Sequence, residues 1–528
     1  MTARAIMVLG TASHVGKSLT TAALCRIFAR AGYRVAPFKS QNMSLNSAAT
    51  PDGYEIGRAQ ALQAEAAGIA PSMHMNPILI KPSSDTAAQI VVRGKVWRKL
   101  DARSYQEVRI AELLPVVEES YRILAAQNDV MVLEGAGSPV EINLKENDIV
   151  NMRMAKMADA KCLLVGDIDR GGVFASLLGT FELLDLDERA LIAGFIINKF
   201  RGDIALLWPG VHMIEQRLGK PCVGVIPYLG HLSLDEEDSV GFDQSNEAPW
   251  TEDATPSRRL RIGVIAFPSI SNFTDFDALD AETSVTLKHL RDPASMALAD
   301  VIILPGSKQT VDDLCWLREC GFEPALKEFA RKGGLIVGIC GGFQMLGKEI
   351  LDPHGMERAG IQPALNLLPV RTILAHEKVT VPAHGMLGRS MLFGQPVEPC
   401  EVAGYEIHLG TTEYLDEAVA FASIARQNDA TRTLPDGCVS IDGRVCGTYL
   451  HGIFDGDAFR HAFLRASRAA LQMDAPAELI AWSELRRQQL DRLADAVAEA
   501  LDMDAVFAML GLPRCPDQTA NWAERRLS

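Results

Sequence analysis

The sequence predicts an α/β protein of two doubly wound domains, each built on a mostly parallel sheet, followed by a helical C-terminal tail. Three observations predict it. Apolar, β-rich runs alternate with helical stretches through residues 1–230, the pattern of a parallel sheet covered by helices on both faces. A polar, Pro-, Ser-, Thr- and Asp-rich interruption at 243–259, DQSNEAPWTEDATPSRR, then precedes a second alternation of the same kind. From Asp457 onward the chain reads as helical, with Leu490, Leu493, Ala494, Val497 and Leu501 at helical spacing, a face expected to pack onto the body. The expected division is therefore 1–242, a linker at 243–259, 260–456, and a tail at 457–528.

Composition agrees with this. A chain of 528 residues fits two to four folding units at roughly 100–200 residues each. With 48% hydrophobic and 23% charged residues it can bury sizeable cores and lies far from disordered compositions. Its formal net charge of −15 gives no electrostatic footing for nucleic acid or anionic lipid, so neither is expected as a partner. The opening MTARAIMVLG has only a brief apolar run, and no stretch reaches the roughly 18 apolar residues of a membrane helix, so a cytoplasmic protein is expected. The ten cysteines lack paired Cys-x-x-Cys spacing; most are expected to be reduced, buried and inert. The oligomeric state stays open.

In the first half the clearest strands are AIMVLG (5–10), YRVAPFK (33–39), DVMVLEG (129–135), KCLLVGDI (161–168) and LIAGFIINK (191–199). Ligands of open α/β sheets bind beyond the carboxyl ends of the strands, so Gly10, Lys39, Glu134, Asp167 and Asn198 are expected on one rim. The segment AIMVLG-TASHVGKS-LTTAALCRIFARAG is strand, loop and helix, with Gly16, Lys17 and Ser18 at the helix start. It is a variant phosphate loop, because Gly10 sits one residue further back than usual and Thr11 takes the customary glycine place. Helix N-terminal amides would face phosphates, Lys17 would add a point charge, and the Ser18 hydroxyl is a magnesium ligand candidate. Glu134, just past a buried strand, is placed to hold magnesium directly or through water. Asp167 and Asp169 occupy a similar strand end; one is a candidate second ligand, and Asp169 alternatively pairs with Arg170. Asn198 and Lys199 are candidates either for the adenine or for capping their strand. Lys39, ahead of SQNMSLNS, would stabilise charge on a transferring phosphoryl group.

In the second half the strands are RIGVIAF (261–267), DVIILPG (300–306), GGLIVGIC (333–340) and the closing VSIDGRVCGTYLHG (439–452). GGLIVGICGGFQMLG puts Cys340 at a strand end among glycines with a helix immediately after, a nucleophile elbow that pushes the thiol outward. His451 in TYLHGIF supplies a partner base.

These motifs carry a family resemblance over about residues 1–455. The first domain, with its stretched GTASHVGKS loop, resembles the dethiobiotin synthetase-like group of ATP-dependent synthetases. Within that group PFKSQNMSLNSAAT, EIGRAQALQ, EGAGSPVEINL and DIDRGGVFASLLGT resemble the cobyric acid synthase family. The second domain resembles the class I glutamine amidotransferases. The resemblance implies ATP as co-substrate, Mg2+, no tightly bound organic cofactor, and amidation of a corrinoid a,c-diamide with ammonia from glutamine. Cobalt would belong to the substrate. It implies Lys39 at phosphate, Glu134 serving magnesium, Glu55 as a weaker acidic candidate nearby, Cys340 attacking glutamine and His451 moving the proton. It also implies an oxyanion hole from backbone N–H groups near Gly306, Ser307 and Gly341. Many relatives carry a glutamate two residues after the histidine, where this chain has Ile453. That leaves three alternatives: Asp455, a distant acid, or a dyad. His408 in GYEIHLG faces substrate or fills a turn. Three competing functions stay open: cobyrinic acid a,c-diamide synthase, which differs at FKSQNMSLNS; a synthetase for another polycarboxylate; and a partitioning-type switch ATPase, which would need a lysine where Ala12 stands.

Overall fold

The computed structural model describes residues 3–82, 87–230, 232, 234, 250, 257–388, 391–415 and 417–513. Of the expected linker, 243–249 and 251–256 lie outside the described residues, as does the tail beyond 513. The chain forms two compact units: Met1–Ser44 with Ile56–Leu234 and Arg486–Ser528, and Leu45–Glu55 with Asp235–Leu485.

The first unit is built on a six-stranded parallel sheet in the order Cys222–Pro227, Ile192–Phe200, Lys161–Asp167, Arg4–Gly10, Val130–Glu134, Val35–Phe38. Side chains alternate across a strand, so a sheet covered on both faces needs apolar residues at every position. Residues 5–9 show this directly. Ala5, Met7 and Leu9 belong to one core layer, and Ile6 and Val8 to the other. A separate four-stranded sheet, Gln41–Met43, Ile78–Pro82, Ala87–Val92 and Lys95–Asp101, follows the second strand.

The second unit repeats the plan. Val285–Leu290, Leu260–Ile265, Val301–Leu304, Leu335–Ile339 and Val445–Thr448 run parallel, with Cys438–Val439 antiparallel at the edge. Val301 and Ile303 face one core and Ile302 and Leu304 the other. A second sheet in this unit is mostly antiparallel, centred on Val370–Leu387 and Glu401–Tyr414, and the latter pairs with Leu450–His451. The fold is thus α/β, with a parallel sheet in each unit and helices at the C-terminus.

The units differ from the expected boundaries at residues 45–55 and in the tail, among other places. Residues 45–55 join the second unit. The tail is shared: helix Asp457–Ala470 packs on the second core, whereas Leu490, Leu493, Ala494, Val497 and Leu501 are buried in the first. Arg26 Nε donates to Asp491 Oδ1 at 3.0 Å and Arg486 Nη2 to Glu65 Oε2 at 2.7 Å, fixing that helix by charge as well as by burial. Leu493→Ala should therefore lower the unfolding free energy of the first unit by about 2–5 kcal/mol, read from a denaturant titration. An unchanged midpoint would contradict this packing.

Candidate functional site

At the rim of the first sheet, Arg4–Gly10 leads through the loop into helix Lys17–Arg30, whose N-terminal flank Gly16 has φ +97°. Two features require glycine there: the left-handed backbone, and Asn198 Nδ2, which would lie 2.1 Å from a Cβ. Asn198 Nδ2 donates to Val15 O at 2.9 Å. Its side chain holds the phosphate loop, which neither sequence alternative for it anticipated. The Thr11 amide donates to Val165 O at 2.9 Å and seats the loop on the next strand. Lys17 Nζ donates to Ala12 O at 2.8 Å and Gly137 O at 3.3 Å.

Glu134 is the hub. Its Oε1 accepts from Ser18 Oγ at 2.8 Å and Lys39 Nζ at 2.9 Å, and its Oε2 from Gln63 Nε2 at 2.6 Å. Lys39 and Glu134 are both buried, so each answers a charge that would otherwise be costly. Ser18 and Glu134 offer adjacent hard oxygens, which suits magnesium. Among the described residues no cluster of three or more His, Cys, Asp or Glu side chains forms a metal cage. Magnesium sites completed by nucleotide phosphates and water need none.

Asp167 is engaged differently. Its Oδ2 accepts from Lys199 Nζ at 2.9 Å, which also donates to His14 O of the loop at 2.7 Å, and its Oδ1 accepts from the Asp169 amide at 2.8 Å. Asp169 pairs with Arg201 at 3.1 Å instead of Arg170, because consecutive side chains diverge. Glu55 belongs to the second unit, where it pairs with Lys378 at 2.5 Å.

In the second unit Cys340 links strand Leu335–Ile339 to helix Gly341–Leu346 at φ 51°, ψ −108°, a strained conformation for a non-glycine residue. The strain goes with a tight elbow: a Cβ on Gly342 would lie 2.0 Å from Leu304 O. The backbones of Gly341 and Ser307 adjoin, since a Cβ on the former would stand 2.9 Å from Ser307 N. Gly306 leaves room for the His451 ring, whose Cε1 would lie 2.7 Å from a Cβ there. Ser307 Oγ donates to Asp313 Oδ2 at 2.5 Å; burial pushes that carboxyl up to about 7.

His451 is buried, interacts with Cys340, and its Nδ1 donates to Asp275 Oδ2 at 2.7 Å. Asp275 Oδ1 accepts from the Gly452 amide at 2.9 Å, so both carboxylate oxygens are committed to the histidine and its neighbour. Of the three alternatives left by the sequence, the structure selects the distant acid over Asp455. Burial opposes charge on the imidazole; the Asp275 carboxylate and the neighbouring Cys340 outweigh it and push His451 up to about 10. His408 is buried, with Nδ1 at 3.1 Å from Gly410 O and Nε2 at 3.2 Å from Glu406, and it stacks on Tyr449. It lies inside strand Glu401–Tyr414 and not in a turn.

Residues 6–240 match the CobQ/CobB/MinD/ParA nucleotide binding domain family, and residues 261–459 match the CobB/CobQ-like glutamine amidotransferase domain family. The chain is 48% identical to the cobyric acid synthase of Moorella thermoacetica, over 97% of this chain and 98% of that one. It is also 48% identical to that of Desulforudis audaxviator, over 97% of this chain and 100% of that one, and 45% identical to that of a Thermoanaerobacter species, over 96% and 98%. The chain belongs to the cobyric acid synthase family.

In this member of the cobyric acid synthase family the acid bonded to His451 is not next to it in sequence. Asp275 stands 176 residues before His451, in the short 3-10 turn Phe273–Phe276. The available signal was its place in SISNFTDFD, just after strand Leu260–Ile265 of the second unit's parallel sheet, where a strand-end acid can reach the rim. A histidine raised above its unfolded value of about 6.5 adds stability that is complete below that pH and is lost as pH climbs toward about 10. Asp275→Asn should therefore flatten the decline in stability across that window, measured by denaturant unfolding at its two ends. A decline as steep as the parent's would contradict the pairing.

Proposed function

We propose that the chain, a glutamine-hydrolysing, ATP-dependent carbon–nitrogen ligase of the cobyric acid synthase family, amidates four side-chain carboxylates of adenosylcobyrinic acid a,c-diamide in turn. One observation carries this reading: a single chain holds both a phosphate loop joined to a buried acid and lysine, and a strained cysteine beside a histidine–aspartate pair. A switch ATPase has no use for Cys340 and His451, and a glutaminase alone has none for Lys17 and Glu134.

A carboxylate does not form an amide with ammonia at a useful rate, because oxide or hydroxide is a poor leaving group. A substrate carboxylate oxygen therefore attacks the γ-phosphorus of ATP, the bond to ADP breaks, and an acyl phosphate results. Lys17 and Lys39 neutralise the charge in transit, and Asn198 keeps the loop in register. Ser18 and Glu134 would hold Mg2+, which when bound neutralises phosphate charge. At the other site the Cys340 sulfur attacks the glutamine amide carbon and His451 protonates the departing ammonia. Water then releases glutamate with His451 as base. Amides near Gly306, Ser307 and Gly341 receive the developing oxyanion. Ammonia displaces phosphate from the acyl phosphate, leaving the amide.

The substrates on this reading are small molecules, and the enzyme works in the cytoplasm. Among the described residues no helix is long and apolar enough to cross a membrane. An assay of glutamine-dependent ADP release against a set of polycarboxylates tests the proposal. Release with the corrinoid a,c-diamide is expected, and release only with a different polycarboxylate would overturn the substrate.

A further inference from the structure

The motif SQNMSLNS is only partly used by the nucleotide chemistry: Lys39 before it and Gln63 after it both bond Glu134, yet residues 45–55 between them belong to the second unit. There they meet the elements that hold His451. Asn46 Oδ1 accepts from the Phe273 amide at 3.2 Å, and the Ser47 amide donates to Asn272 Oδ1 at 2.9 Å. This reciprocal clasp closes on the start of the 3-10 turn Phe273–Phe276 that carries Asp275, whose own amide donates to Asn272 O at 2.9 Å. Asn272 has φ 54°, so the chain enters the turn through a left-handed residue that the clasp holds in place.

A second contact reaches the His451 ring at its face. Tyr405 Oη donates to Ser47 O at 3.2 Å, and the Tyr405 ring stacks on the His451 imidazole with centroids 5.5 Å apart and planes at 21°. The segment is stiffened locally. Ser47 Oγ donates to Glu55 Oε1 at 2.8 Å, Lys378 pairs with Glu55 Oε2 at 2.5 Å, and the turn between is closed by Gly53 N to Thr50 O at 2.9 Å. Asn46, Ser47, Glu55, Asn272 and Asp275 are all buried. A buried polar cluster this fully bonded specifies one geometry.

We propose that Asn46 and Ser47 are positioning residues of the glutamine-hydrolysing site: their clasp on Asn272 and Phe273 fixes Asp275, and Ser47 fixes Tyr405, so that His451 is held on two sides at the angle its proton transfers require. The inference rests on the reading of Cys340 and His451 as nucleophile and base. One stretch of sequence thus serves both chemistries, with Lys39 bonded to the nucleotide-site acid and residues 46 and 47 supporting the base.

The test uses the full-length enzyme and compares Asn46→Ala, Asn46→Asp, Asp275→Asn and the Asn46→Ala/Asp275→Asn double variant. Misplacing a reacting group by about 1 Å costs on the order of 10²-fold. Asn46→Ala should accordingly lower kcat for glutamine hydrolysis by about that factor or less, with KM for glutamine little changed, and amide synthesis from ammonium should stay near parental. Asn46→Asp keeps an acceptor for the Phe273 amide and should restore most of kcat. Residues acting through one another are non-additive, so the double variant should hydrolyse glutamine no more slowly than Asp275→Asn alone. The proposal is overturned if ammonium-dependent and glutamine-dependent rates fall together, if kcat is untouched, or if the two losses multiply. If the parent enzyme itself hydrolyses no glutamine, the underlying reading fails instead.

Discussion

Replacing Cys340 by alanine removes glutamine-dependent synthesis and leaves synthesis from ammonium intact. The sulfur is the atom that forms the bond to the amide carbon, and no neighbouring group replaces it. Loss of a covalent nucleophile of this kind costs on the order of 10⁴-fold or more. Ammonium at high concentration supplies the small unprotonated fraction that attacks the acyl phosphate, so the synthetase half of the reaction continues. The substitution removes a strained side chain from φ 51° without disturbing the glycine contacts at Gly342, so the fold should survive it. Parallel assays with glutamine and with ammonium, each read as ADP release, check this. Failure of ammonium to rescue Cys340→Ala would make the residue structural.

The reciprocal variant, Lys17→Ala, loses synthesis with either nitrogen source. Lys17 stands at the first position of helix Lys17–Arg30, where its charge and the helix N-terminal amides act on the same phosphates. Removing one preorganised donor from a developing charge costs about 10²- to 10³-fold. Basal glutamine hydrolysis, measured as glutamate release without acceptor, should persist, because Cys340, His451 and Asp275 are untouched. Full synthetic activity in Lys17→Ala would remove the phosphate-loop assignment.

How much of this was legible in the sequence follows from how local each feature is. The phosphate loop and the Cys340 elbow are contiguous strand–turn–helix units, so their chemistry is written in consecutive residues. The parallel sheets were legible for a similar reason, since strands such as 5–9 are apolar at every position and both faces are buried. Asp275 was not legible as the partner of His451, because a 3-10 turn leaves no periodicity and the pairing spans 176 residues. Asn198 reads as a strand-end amide, and only the fold brings it against Gly16. Glu55 lies in a stretch that resembles nucleotide-domain sequence, yet its charge is answered by Lys378, 323 residues away. The helical face at 490–501 was evident as a packing face, but its spacing carries no information about which core receives it.

The measurement that bears most directly on the central claim is mass spectrometry of adenosylcobyrinic acid a,c-diamide after incubation with the enzyme, ATP and glutamine. Chemistry is decided at the site and not by the fold, and each OH replaced by NH2 lowers the substrate mass by about one unit. A ladder of four successive losses is expected, each accompanied by one ADP and one glutamate. An unchanged corrinoid mass while ATP and glutamine are consumed would contradict it.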